Sequence, residues 1–245
     1  MFSNKLIKRI LHAYSLTFMT GAGISAESGV PTFRGKDGLW QNHDVQQLAT
    51  PRALESEPEL FWEFYRWRRQ LLARVEPNLG HYALVDLENR YKGFTLITQN
   101  VDNLHIKAGN RHVLELHGNI TRTYCSKCGK EFAEGEYDDT PAVPKCTQCG
   151  GVLRPGVVLF GESLPSAILA EAQQAAAESE VFFSVGTSSI VEPAASLPYI
   201  AKANGAYLVE INPEETPLSA HADEVIREKS GKILAAIVLA LERIA

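Results

Sequence analysis

The residues best suited to chemistry begin with the run Gly21-Ala-Gly-Ile-Ser-Ala-Glu-Ser-Gly-Val-Pro-Thr-Phe-Arg34. It follows the short apolar segment Leu16-Thr-Phe-Met19, which reads as a buried strand. A strand, a glycine-rich turn and a short helix in that order can hold phosphates. Gly21 permits the tight turn, Gly23 lets the backbone approach a ligand, and Ala26 stands where the third small residue of a G-x-G-x-x-G/A pattern belongs. The helix start offers free N–H groups and a positive dipole end to a pyrophosphate. The acid that a dinucleotide-binding unit carries about 20 residues on is missing, because Asp37 and Asp44 lie in a polar stretch with no strand pattern before them. On the glycines alone, an ordinary turn in an α/β protein fits equally well. Glu27, Ser28, Phe33 and Arg34 bring acid, hydroxyl, aromatic and guanidinium groups beyond the turn, more polar chemistry than a connection needs.

Three further clusters follow. Gln99-Asn-Val-Asp-Asn-Leu-His105 comes directly after the apolar segment Gly93–Thr98. Polar groups just past a strand's C-terminal end sit where open α/β sheets bind ligands. The amides of Gln99 and Asn100 and the carboxylate of Asp102 suit ribose hydroxyls and a carboxamide. Asp102 or Asn103 could equally cap a helix. A third strand, His112–His117, ends at His117-Gly118, and a histidine at a strand end facing a cleft is the natural general base. Gly186-Thr-Ser-Ser189 follows the buried strand Val181–Val185 with small and hydroxyl residues that suit a phosphate or ribose.

The chain has four cysteines, in the pairs Cys125-Ser-Lys-Cys128 and Cys146-Thr-Gln-Cys149. Two C-x2-C pairs at this separation form a tetrathiolate zinc pattern. Two disulfides would require an oxidising compartment that nothing else in the sequence suggests. Four thiolates leave no open coordination position, so the metal is expected to be structural. The linker carrying Pro141 and Pro144 is too poor in apolar residues to fold without it.

The elements that must position these groups alternate. An amphipathic N-terminal helix with Leu6, Ile7, Ile10 and Leu11 on one face leads into the first strand. Pro58 opens a helix running from Glu59 to about Val75, on which Tyr65 and Arg68 share a flank. Helices are expected near 79–90, 166–178, 194–203 and 230–243. Strands are expected at 93–98, 153–160, 181–185 and 206–211, the last ending in Asn212-Pro-Glu214, while Gly35–Trp40 reads as a loop. Strand–helix alternation predicts an α/β fold with a doubly wound parallel sheet whose polar strand tips line one crevice. The 245 residues, 45% hydrophobic with net charge −5, suffice for one large domain with an inserted module. The mild acidity argues against a general nucleic-acid binder. No apolar run approaches the roughly 20 residues of a membrane span, and the compartment expected is the cytosol.

Taken together, the glycine run, Thr98-Gln-Asn-Val-Asp102, Leu116-His-Gly118, the cysteine pairs, Val158-Leu-Phe-Gly-Glu162, Gly186-Thr-Ser188 and Ile211-Asn-Pro213 resemble the sirtuin NAD-dependent protein deacylases, in order over nearly the whole chain. The resemblance implies a Rossmann-like NAD-binding domain (residues 1–34, 79–120 and 155–245). It implies a small domain made of a helical module (35–78) and a zinc ribbon (121–154). It further implies that NAD is consumed and that an acyl-lysine peptide enters the cleft between the domains, the enzyme acting as a monomer. His117 then activates a ribose hydroxyl as general base, Asn100 orders the ribose and a water, and Asp102 binds the carboxamide. Gly21, Ala22, Gly23, Glu27, Thr32, Phe33, Arg34, Trp40 and Gln99 belong to the NAD site, with Phe33 shielding the reactive ribose and Arg34 helping to close the loop. Gly186, Thr187 and Ser188 hold phosphate and ribose. Asn212 and Glu214 hold the adenosine end, with Ser230 near the adenine. The peptide adds as a strand between Phe160-Gly161-Glu162, with Val158 behind them, and the loop at Val191.

One departure carries information. Thr32 stands where many sirtuins have aspartate, and with Tyr65-x-x-Arg68 and Ala49 it resembles the branch that removes acidic acyl groups. Arg68 can pair bidentately with a distal carboxylate, Tyr65 can add a hydroxyl donor, and Ala49 leaves room. The competing readings are an NAD-dependent dehydrogenase, a protein mono-ADP-ribosyltransferase on the same scaffold, and a non-catalytic zinc-ribbon binding module. Release of free nicotinamide separates the first from a deacylase, and the presence of both His117 and Asn100 favours deacylation over the second.

Overall fold

The computed structural model describes residues 2–31, 39–40, 43–133 and 135–244, with 39–40 as backbone. Thr32, Phe33 and Arg34 lie outside the described residues, and so does the side chain of Trp40. The chain runs through α1 (Asn4–His12), β1 (Ser15–Thr20), α2 (Ala22–Ala26), β2 (Leu39–Trp40), β3 (His43–Asp44), α3 (Val45–Leu48), α4 (Pro51–Ser56), α5 (Pro58–Ala73) and α6 (Leu79–Arg90). It continues through β4 (Gly93–Thr98), α7 (Leu104–Ala108), β5 (Val113–Glu115), β6 (Gly118–Cys125), β7 (Glu131–Phe132) and β8 (Leu153–Val157). The last part holds α8 (Ser166–Ala177), β9 (Val181–Val185), α9 (Leu197–Ala203), β10 (Tyr207–Ile211), β11 (Glu224–Ile226) and α10 (Ser230–Glu242).

Six strands form one sheet in the order β11-β10-β9-β1-β4-β5, and every pairing in it is parallel. Strand residues are buried on both faces because helices cover both. Leu16 and Phe18 of β1 with Val181 and Phe183 of β9 join the core under α1, α6 and α10, where the Phe18 and Phe183 rings stack 4.3 Å apart. Met19 and Phe182 point the other way, into the core under α8 and α9. This period-two split is what a doubly wound sheet demands.

The second body is built around α5. Phe61, Trp62, Phe64 and Tyr65 pack in one cluster with Ile120, Cys125, Phe132, Cys146, Leu153 and Leu159. Polar clamps reinforce it. Trp62 Nε1 donates to the Leu153 carbonyl (3.0 Å), and Arg69 donates to the Ile120 and Arg122 carbonyls (2.8 and 2.9 Å). Arg66 holds the carbonyls of Asp139, Pro141 and Ala142. The antiparallel sheet β7-β6-β8 carries the cysteines at its end, and the boundary drawn at 154/155 falls inside β8, which pairs with β6.

Several elements differ from expectation. The strand expected over His112–His117 is only Val113–Glu115, because β4 stops at Thr98 opposite Glu115 and the ladder with β4 ends there. The strand expected over 153–160 ends at Val157. Beyond it the backbone turns aside, with Val158 N–H bonding to the His117 carbonyl (2.9 Å) and Phe160 N–H to the Ala49 carbonyl (2.8 Å). Leu39–Trp40 is a strand rather than loop, paired with His43–Asp44. A 3-10 turn at Ala194–Ser196 precedes α9. The sixth strand, β11, is too short for its three residues to show a pattern.

Candidate active site

The crevice lies at the C-terminal ends of β1 and β9, where strand order reverses. The loops after these strands touch backbone to backbone. Gly21 N–H bonds to the Val185 carbonyl (3.0 Å), and Gly23 N–H to the Gly186 carbonyl (2.9 Å). A Cβ on Gly23 would fall 2.6 Å from Gly186 Cα, and Gly186 itself has φ +60°. Glycine is required here for the two loops to meet, so the close approach expected of Gly23 toward a ligand is first an approach to Gly186. Ala22 opens α2. The hydroxyls of Ser184, Thr187 and Ser189 form a chain (3.0 and 3.1 Å), with Ser188 between them half-buried.

After β4, Gln99 N–H bonds to the Thr20 carbonyl (3.0 Å). Asn100 is fixed at both ends: its N–H bonds to Thr98 Oγ1 (3.1 Å), and its Nδ2 bonds to the Gly21 carbonyl (3.0 Å) and Ser25 Oγ (3.2 Å). Ser25 Oγ in turn donates to Asp102 (2.7 Å), whose second oxygen accepts Leu104 N–H (2.9 Å) at the start of α7. Asp102 therefore ties the glycine run to the start of α7, one oxygen to each. Burial raises its carboxyl above the usual range, against the hydrogen bonds from Ser25 and Leu104. Ser25 is the residue sequence reasoning passed over, although it lies inside the glycine run.

His117 sits in the turn between β5 and β6, with Nδ1 2.7 Å from the Gln99 carbonyl oxygen. Burial lowers its pKa, partly offset by that bond. Its neighbours hold the turn in place. Asn119 Nδ2 bonds to Glu115 (2.6 Å) and to Asn103 (2.8 Å), and Arg122 pairs with Glu115 (2.6 Å).

Tyr65 is buried, and burial pushes its hydroxyl pKa up, so it stays a neutral donor. Arg68 is half-buried over the Phe64 ring (5.7 Å), and burial lowers its pKa while Tyr65 and Asp102 favour its charged form. Ala49 is buried, and its carbonyl accepts Phe160 N–H. Glu162, expected beside a peptide, spends its carboxylate on Arg154 (2.6 and 2.8 Å) and on Leu159 N–H (2.8 Å). Phe160, Gly161 and Val191 are exposed, and Val158 is half-buried.

At the far end of the crevice, Asn212 Nδ2 bonds to the Thr187 carbonyl (2.7 Å) and its Oδ1 accepts Glu214 N–H (3.1 Å), leaving the Glu214 side chain exposed. Glu27 accepts Gly231 N–H (2.7 Å) and Ser230 Oγ (3.4 Å), so it caps the start of α10, and Ser230 is buried behind it.

The sulfurs of Cys125, Cys128, Cys146 and Cys149 all lie within 4.8 Å of one another, with Cys125–Cys149 at 3.5 Å and Cys128–Cys146 at 3.8 Å. Four thiolates on tetrahedral zinc stand about 3.8 Å apart, given Zn–S bonds of about 2.3 Å. Lys127 and Cys128 N–H groups point at Cys125 Sγ (3.4 and 3.5 Å), as donors to a charged thiolate would. The site fits a structural zinc.

Comparison with known proteins agrees with this geometry. The Sir2 family model matches residues 21–193. An NAD-dependent protein deacylase of Aquifex aeolicus (strain VF5) is 53% identical over 216 residues, 88% of this chain and 90% of that protein. A solved Sir2 homologue mutant in complex with 2′-O-acetyl ADP ribose superposes with TM-score 0.94 at 43% identity, covering 99% of this chain and 98% of that one. A Sir2 homologue–NAD complex gives TM-score 0.93 at 44% identity, covering 100% and 95%. The parallel sheet, the glycine crevice, the histidine after β5 and the four-cysteine cluster thus occur in one chain with a family-wide match, and the chain belongs to the Sir2 family.

Proposed function

We propose that the chain is an NAD-dependent protein-lysine deacylase that releases nicotinamide and leaves the acyl group on ADP-ribose, and that it takes succinyl and malonyl groups besides acetyl. The observation that carries the reading is the His117–Gln99 bond. A carbonyl oxygen only accepts, so the proton sits on Nδ1 and the lone pair that can take a proton sits on Nε2. NAD supplies the ribose that receives the acyl group, with nicotinamide as the leaving group.

The residues divide the work. Gly21, Ala22 and Gly23 shape the phosphate loop, Gly186, Thr187 and Ser188 hold phosphate and ribose, and Asn212 and Glu214 hold the adenosine end, with Ser230 near the adenine. Asn100 orients ribose and water, and Asp102 takes the carboxamide. His117 Nε2 removes a proton from a ribose hydroxyl while the Gln99 carbonyl stabilises the imidazolium that forms. Zinc on the four thiolates holds the small module together. The peptide runs as an added strand between Phe160–Gly161 and Val191, and this mode reads backbone more than sequence. Tyr65 and Arg68 read a distal carboxylate, supported by a buried neutral hydroxyl beside a half-buried cation. Such a cation gains most from a bidentate partner where water is scarce. The enzyme works as a cytosolic monomer on acylated proteins.

The test is mass spectrometry of one lysine peptide in acetyl and succinyl forms, with and without NAD. Acyl loss that requires NAD and yields nicotinamide with O-acyl-ADP-ribose supports the reading, and the ratio of the two rates reports the acid preference. ADP-ribose gained by peptide or enzyme, with no acyl loss, would overturn it in favour of a mono-ADP-ribosyltransferase.

A further inference from the structure

Glu210 on β10, outside the crevice lining, is a buried acid with three partners and is 1% exposed. Its carboxylate accepts from Thr216 Oγ1, from Ser219 Oγ (2.6 Å) and from Arg227 Nη1 (2.9 Å). Arg227 also donates to the Asn212 carbonyl (3.2 Å) and to Ser219 Oγ (2.7 Å). Asn212 then carries the chain onward, through Nδ2 to the Thr187 carbonyl (2.7 Å) and through Oδ1 to Glu214 N–H (3.1 Å). A continuous set of hydrogen bonds thus runs from a buried carboxylate to the two loops that edge the far end of the crevice.

Burying a carboxylate is costly, and a well-packed apolar residue would serve the sheet at least as well. Among the described residues, every hydrogen-bond partner of the Glu210 carboxylate belongs to the loop after β10 or is Arg227, just beyond β11. The carboxylate therefore fixes the shape of the 212–219 loop, and through Arg227 it fixes the backbone of Asn212.

We propose that Glu210 is a positioning residue for the adenosine half of NAD: with Arg227 it holds the 212–219 loop in its binding shape. This rests on the reading that Asn212 and Glu214 meet the adenosine end. Glu210 touches no reacting atom, so its loss raises the KM for NAD and leaves the chemical step intact. Glu210→Gln keeps the size, removes the charge and leaves Arg227 poorly paired. Ser219→Ala removes one donor to Glu210 and the acceptor for Thr216 N–H and Arg227 Nη2, and it leaves the Glu210–Arg227 ion pair in place.

The experiment measures ADP-ribose affinity by calorimetry, KM for NAD and for acyl-peptide, inhibition by nicotinamide, and the melting temperature, for Glu210→Gln, Ser219→Ala and Asn212→Ala. The expected result is a roughly tenfold loss of ADP-ribose affinity and a matching rise in KM for NAD in Glu210→Gln, with a smaller effect in Ser219→Ala. Peptide KM and nicotinamide inhibition should stay within about twofold. If Asn212→Ala weakens ADP-ribose while Glu210→Gln and Ser219→Ala do not, the proposal fails and the adenosine reading stands. If none of the three weakens ADP-ribose, both fail. Equal losses for NAD, peptide and nicotinamide with a lowered melting temperature in both Glu210→Gln and Ser219→Ala would reduce Glu210 to a folding residue and overturn the proposal.

Discussion

His117 Nδ1 stands 2.7 Å from the carbonyl oxygen of Gln99. This single bond joins the turn after β5 to the loop after β4 and fixes which nitrogen carries the proton. Replacing His117 with Ala should lower kcat by about a hundred- to ten-thousand-fold, the range for a lost general base. ADP-ribose should still bind, as calorimetry would show. Burial lowers the His117 pKa, so the base is already free at neutral pH. The rate should hold steady near pH 7 and fall only as pH drops below the ordinary histidine range, which a pH profile of kcat/KM would check.

Arg68→Met should cut kcat/KM for a succinyl peptide by about 10–100-fold, because a charge-assisted bidentate contact is lost. Deacetylation should change by less than about threefold, since an acetyl group has no distal charge to meet. Equal losses for both peptides would remove Arg68 from the acid-reading role.

Glu162 is bound to Arg154 and to Leu159 N–H, so it sets the shape of the 157–162 segment. The Arg154 partnership holds its carboxyl below the usual range even though partial burial works the other way. Glu162→Gln should raise the peptide KM by about tenfold and leave the NAD KM unchanged. Steady-state kinetics in both substrates decides this.

Metal analysis should find one zinc per chain. Because Cys125 and Cys146 share one apolar cluster with Trp62 and Phe64, stripping the metal should loosen α5 as well as the ribbon. Cys128→Ser should lower the melting temperature by more than about 10 °C, since each kcal/mol lost moves a chain of this size by about 2–4 °C. Hydrogen exchange should localise the loss to β6, β8 and α5.

The His81 and His105 rings meet in the core at a tilt of 56° with centroids 4.9 Å apart, and burial lowers both pKa values, that of His81 to about 4. The unfolded chain binds these protons first as pH falls. The stability tied to His81 is therefore complete above about pH 6.5 and declines to pH 4, a loss of up to about 3 kcal/mol. Denaturant unfolding between pH 7 and pH 4 should show this slope, and His81→Gln should flatten part of it.

The sequence by itself determined the buried strands, the parallel α/β class and the cysteine pairs, and it put polar residues at the strand ends. These signals are local: burial on two faces writes continuous apolar runs, and a tetrathiolate site writes its own spacing. Only the tertiary structure decided how the groups are used. The length of β5, and so the placing of His117 in a turn, depends on where β4 ends. The double duty of Asp102, the capping of α10 by Glu27 and the pairing of Glu162 with Arg154 join residues on different elements, and no local pattern records which acid meets which donor. Glu210 looks like one more polar residue in an apolar strand. Its role emerges only when the chain returns through β11 and sets Arg227 beside it, because a buried charge is defined by the partners that folding brings to it.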